Sequence, residues 1–139
     1  MVNELISSQC MIIMTQINSD LIKAIGELAY VVAKAHDNIV LEEKETLYSI
    51  LSKNLGSKGT IAKDRFDLLC EVTNPSLIHA YNNALHELKK SKQHVNKEFT
   101  SLVFDILNSV AESHLGKSTF QLFILDRLKH DLKSLNNGL

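Results

Sequence analysis

The sequence predicts an all-α protein, and three observations carry that expectation. Apolar residues recur at three- and four-residue intervals along about seven segments. No stretch alternates apolar with polar residues as a half-buried strand would. The helix breakers are one proline, Pro75, and five glycines, Gly26, Gly56, Gly59, Gly116 and Gly138, and most of them fall between segments rather than inside them. A length of 139 residues with 45% hydrophobic residues fits one domain, residues 1–139, around one core. The expected architecture is a single-domain bundle of about seven short helices, with breaks near 36–39, 55–60, 73–76, 92–96 and 114–118.

The first segment, about 4–17, places Leu5/Ile6, Cys10, Ile13/Met14 and Ile17 on one helical face. Asp20 is then positioned to cap a second helix whose inward stripe is Leu21, Ile25, Leu28/Ala29 and Val32. A third helix, about 40–54, turns Leu47, Ile50 and Leu51 inward. Glu42, Glu43 and Glu45 crowd its first turn, where carboxylates complement the helix dipole. After the Gly56–Gly59 connection, Thr60 is expected to cap a short helix, about 61–72, that Asn74-Pro75 ends.

Pro75 suits the first position of the next helix, about 75–92, with the stripe Leu77/Ile78, Tyr81, Ala84/Leu85 and Leu88. The sixth, about 96–113, presents Phe99, Leu102/Val103, Ile106 and Val110. Gly116 and Ser118 lead into the seventh, about 119–135, which has two apolar groups. Phe120, Phe123 and Ile124 form one; Leu125, Leu128, Leu132 and Leu135 form the other, on a partly separate face. Either this helix lodges in a groove between two others, or one face serves the core and the other a second subunit.

Charge and composition exclude several classes of function. Fifteen Lys/Arg against sixteen Asp/Glu leave a net charge of −1, without the basic footprint of a nucleic-acid binder. The one basic cluster, Lys89 to His94 with Lys97, lacks the interleaved aromatics of a single-strand platform and reads as a solvated helix end. The longest apolar run near the N-terminus is Cys10 to Met14, and no run approaches the roughly 20 residues of a membrane span. A cytoplasmic location is expected, with Cys10 and Cys70 as buried free thiols. None of the six histidines forms an i, i+4 pair. HExxH, GxSxG, phosphate-loop and EF-hand patterns are all missing, so no enzymatic activity is expected.

The segment Ala29 to Ile50, AYVVAKAHDNIVLEEKETLYSI, runs from an apolar helix through a short polar turn into an acid-rich helix start. It resembles the helix–turn–helix signature of the TerB-like, or tellurite-resistance-protein-like, family. In that register Ala35 takes the alanine position, His36 stands at the usual Asp, Asp37 at the Gly, Ile39 at the Ile, Val40 at the Ser and Glu43 at the Glu. His36 is not a hard oxygen ligand, and Val40 supplies no cap. Val103 to Leu128 can be laid over the same pattern, with Ala111 on Ala35, Glu112 on His36, Leu115 on Ile39 and Thr119 on Glu43.

The resemblance implies a helical bundle of two loosely related halves, roughly 20–55 and 99–135. It further implies divalent-cation binding and a place in bacterial stress or defence responses. Asp37, Glu43 and Glu112 are then the candidate metal ligands, for Ca²⁺ or Mg²⁺, whose chemistry calls for converging carboxylate oxygens. The expected function is a binding module acting on a divalent ion or a protein partner. The alternative is a metal-free assembly protein that forms a homodimer through its C-terminal helix, with these acids merely solvated.

Overall fold

The computed structural model describes residues 18–36, 39, 41–113 and 117–137. They form six α-helices: α1 (Ser19–His36), α2 (Leu41–Leu55), α3 (Gly59–Leu68), α4 (Leu77–Lys90), α5 (Lys97–Glu112) and α6 (Thr119–Asn137). No strand occurs among the described residues, as the periodicity led one to expect. The segment 4–17 lies outside them. A 3₁₀ turn, Gly56–Lys58, leads into α3, a π turn, Leu69–Thr73, extends it, and a second 3₁₀ turn, Lys92–His94, precedes α5. No described helix is long and apolar enough to cross a membrane.

Helix α1 is the axis of the bundle. Its expected stripe is buried, but so are Ile22, Ala24, Tyr30 and Val31 on its other sides. A helix apolar nearly all round must be enclosed, and α3, α4, α5 and α6 all pack against it. The closest crossing is at Gly26, where a Cβ would stand 2.4 Å from the Ala62 carbonyl oxygen of α3. The glycine is what lets the two backbones meet. One residue on, Glu27 is only 3% exposed and pairs with Arg65 of α3, Nη1 to Oε1, at 3.2 Å.

The helix starts differ from the expected caps. Asn18, not Asp20, caps α1, its Oδ1 accepting from the Leu21 N–H at 2.9 Å. Ser76, not Pro75, opens α4, its Oγ accepting from the His79 N–H at 3.2 Å. Thr60 caps nothing, because the chain enters α3 from a 3₁₀ turn and is already helically wound at Lys58. Asn96 caps α5 by accepting from the Phe99 N–H at 2.8 Å.

Helix α6 begins with a capping box. Ser118 Oγ accepts from the Gln121 N–H at 3.1 Å, while Gln121 Oε1 accepts from the Ser118 N–H at 3.0 Å. Gln121, 2% exposed, also donates from Nε2 to the Val32 carbonyl of α1 at 2.8 Å. That bond ties the first turn of α6 to α1. Ile124, Leu125, Leu128 and Leu132 are buried in the chain's own core, with Leu135 packed against it. Phe120, Leu122 and Phe123 face outward.

Candidate functional site

Three places concentrate chemistry. The first is the acidic turn. Asp37 lies outside the described residues. Glu43, half-buried in the first turn of α2, lines a cavity of about 20 Å³ together with Val110, Ser113 and Gln121. That volume suits one water or one bare ion. Glu112 stands at the end of α5 and does not line this cavity; its side chain is 64% exposed and pairs with Lys117 at 3.5 Å. The structure thus brings Glu43 to the end of α5 but directs Glu112 elsewhere. Among the described residues, no three His, Cys, Asp or Glu side chains converge as a metal set.

The second place is a cavity of about 190 Å³ lined by Tyr30, Lys34, Ile39, Lys44, Cys70 and Asn74. Its lysines are engaged. Lys34 Nζ donates to the Tyr30 hydroxyl at 2.8 Å and to Asn74 Oδ1 at 3.0 Å, and Tyr30 in turn donates to the Pro75 carbonyl at 2.9 Å. These groups close the end of the π turn, where Asn74 adopts φ 42° and its N–H returns to the Leu69 carbonyl at 2.8 Å. An ammonium at the C-terminal end of a helix satisfies the dipole there. Lys44 pairs with Glu71 at 3.4 Å. Burial pushes the Cys70 thiol up to about 11, against the opposing pull of Lys44, so at neutral pH it holds its proton and is a poor nucleophile.

The third place is a groove of about 370 Å³ between α4 and α6. Leu77, Ile78 and Tyr81 form one wall; Phe120, Phe123 and Ile124 form the other, with Asn82 and Arg127 as polar members. Ile78 is 72% exposed, Phe123 62% and Phe120 49%. The two phenylalanine rings lie parallel, 6.4 Å apart. The helices are clamped beneath the groove: the Tyr81 hydroxyl donates to Asp131, which Arg127 Nε also approaches at 3.4 Å. Burial and this hydrogen bond raise the Tyr81 pKa, which keeps the hydroxyl a donor at any physiological pH.

The periodicity had already set Phe120 and Phe123 apart from the leucine row. The sequence stripe includes Ile78, yet it is exposed, because adjacent residues on a helix point about 100° apart. Leu77 lies in line with the buried Tyr81, Ala84 and Leu88 and is half-buried, whereas Ile78 falls off the edge of that row. No protein-family model, curated protein or solved structure matches the chain.

Proposed function

We propose that the chain is a binding module that takes an amphipathic helix of a protein partner into the groove between α4 and α6. The observation that supports this is the exposure of Ile78, Phe120 and Phe123 around one concave apolar surface. With the adjacent Leu122, the exposed apolar area is on the order of 400 Å², a size that on soluble proteins often marks an interaction site. Two copies of a protein in a stable dimer each bury roughly 800 Å². A single helix, with apolar residues at i, i+3/i+4 and i+7, matches the narrow groove better than a second copy. Arg127, 64% exposed at the rim, favours an acidic residue on the flank of that helix.

The TerB-like resemblance supports the same general reading, a role in binding within a bacterial stress or defence response, and its two-halved plan belongs to this proposal too. A cation site at Asp37, Glu43 and Glu112 is the second reading; the water-sized cavity that Glu43 lines favours it, and it requires Glu112 to leave Lys117. On that reading millimolar Ca²⁺ or Mg²⁺ raises the melting temperature by mass action, and Asp37→Asn with Glu43→Gln removes the shift. Calorimetry with no heat of binding at millimolar cation rejects it.

The partner reading is tested by titrating the isotopically labelled chain with a 16-residue amphipathic helical peptide that carries a Leu/Ile face and one glutamate flank. The expected result is amide and methyl shifts centred on Ile78, Phe120 and Phe123. Shifts spread over the surface, or none at millimolar peptide, contradict it.

A further inference from the structure

We infer that the partner helix enters the α4–α6 groove in one direction: antiparallel to both walls, its last turn over the starts of α4 and α6 and a carboxylate of its first turn beside Arg127. The inference rests on the binding-module reading above and adds to it the polarity of the ligand. The first support is the sense in which the two walls run. The Tyr30 hydroxyl of α1 donates to the Pro75 carbonyl, just ahead of α4, at 2.9 Å, and Gln121 Nε2 in the first turn of α6 donates to the Val32 carbonyl of α1 at 2.8 Å. Tyr30 and Val32 are about 3 Å apart along the axis of α1, so α4 and α6 begin at one level of the bundle. Further along both helices, the Tyr81 hydroxyl donates to Asp131. Helices that begin together and are joined again downstream run in the same sense. Leu77, Ile78 and Phe120 therefore mark the starting end of the groove, and Tyr81, Asn82 and Arg127 the far end.

The second support is the field along the groove. The first N–H groups of a helix lack intrahelical partners, and its start carries about half an elementary positive charge. Ser76 and Ser118 each take up one of these groups, the His79 N–H and the Gln121 N–H. The dipoles remain, and two helices that start side by side add their positive ends. Lys117, close to this end, is balanced by Glu112 at 3.5 Å, and Arg127 at the far end by Asp131 at 3.4 Å. The starting end is thus the more positive. A helix laid into the groove has its own negative end at its C-terminus. Antiparallel entry sets that end against two positive ones, whereas parallel entry gathers three positive ends in one place.

The third support is Arg127 itself. From Phe120 to Arg127 the groove spans about 10 Å of α6, two turns of the entering helix. Antiparallel entry brings the ligand's first turn to Arg127, and a first turn is where a carboxylate is already favoured by the ligand's own dipole. Arg127 turns Nε to Asp131, and its side chain is 64% exposed, so the planar guanidinium still has an edge to offer a second carboxylate. One acidic residue then satisfies both helices, and the order acid, apolar face, helix end becomes the signature of the ligand.

The test uses the isotopically labelled full chain and an acetylated, amidated 16-residue amphipathic peptide with a first-turn glutamate, carrying a nitroxide at one end or the other. The C-terminal nitroxide should broaden the amides of Leu77, Ile78 and Phe120 at least fivefold more than those of Arg127 and Asp131, and the N-terminal nitroxide should reverse that ratio. The opposite pattern, or equal broadening from both ends, overturns the inference while leaving the groove as the binding surface. No broadening from either end at millimolar peptide sinks the binding-module reading and the inference with it. The Arg127 contact is read by calorimetry with the unlabelled peptide and its Glu→Gln version. The glutamine peptide should bind the wild type at least threefold more weakly and bind Arg127→Gln as well as the glutamate peptide does. An equal loss in both proteins overturns the pairing of that carboxylate with Arg127.

Discussion

Glu27 is the one buried carboxylate on the axial helix, and its environment sets a pH dependence with a definite sign. Burial raises its pKa above the ordinary 4.5, Arg65 pulls it back down, and Glu87 adds to the rise. Between 4.5 and the raised folded value, the folded chain holds a proton that the unfolded chain has lost. The contribution of Glu27 to stability therefore falls as pH rises through that window. Glu27→Gln lacks this fall. Urea midpoints of the two proteins across pH 4–7 should show the variant gaining on the wild type with rising pH; a difference of opposite slope would mean that the Arg65 pair outweighs desolvation. Gln121 makes a second case at this scale. Gln121→Ala removes one half of the α6 capping box and the bond to the Val32 carbonyl, an expected loss of about 2 kcal/mol in denaturant unfolding. The Ser-x-x-Gln pattern at 118–121 was legible in the sequence as a helix start; the third bond of Gln121 was not, because its partner lies 89 residues away. The caps at Asn18 and Ser76 show the same division. Each sits within two residues of another plausible cap, and tertiary position decides between them.

At the scale of elements, period and breaker residues located the described helices to within a few residues. They did not say which faces meet. Helix α1 has few charged positions, and reading a single stripe on it understated its burial, since only the assembled bundle reveals four helices around it. Helix α6 showed two apolar groups in the sequence; the leucine row is inward together with Ile124, while Phe120 and Phe123 are exposed. Leu128→Glu with Leu132→Glu is accordingly expected to abolish folding, because both side chains are almost fully enclosed and an unpaired buried charge costs several kcal/mol. A folded variant, judged by circular dichroism, would contradict the packing. Gly26→Ala tests the α1–α3 crossing. The Ala62 carbonyl is backbone and cannot swing aside, so overpacking of about 2–3 kcal/mol should outweigh the roughly 1 kcal/mol gained in helix propensity, as a lower urea midpoint would report.

For the whole molecule, the axial helix, its four neighbours and the clamp of Tyr81 on Asp131 hold α4 and α6 at a spacing that leaves apolar side chains facing water. A groove kept open in this way presents a preformed surface, so little binding energy is spent on ordering it. The acidic turn was the more visible feature in the sequence because motif residues are contiguous. The groove is assembled from residues 77–82 and 120–127, which no local pattern connects. The most direct measurement of its role is the affinity of the amphipathic helical peptide for the wild type and for Phe123→Asp, taken by calorimetry alongside thermal melts. Phe123 is exposed, so the substitution should change stability by no more than about 0.5 kcal/mol. Phe123→Asp should lose at least tenfold in affinity with the melt nearly unchanged; equal affinity in the two proteins would rule the groove out as the binding surface.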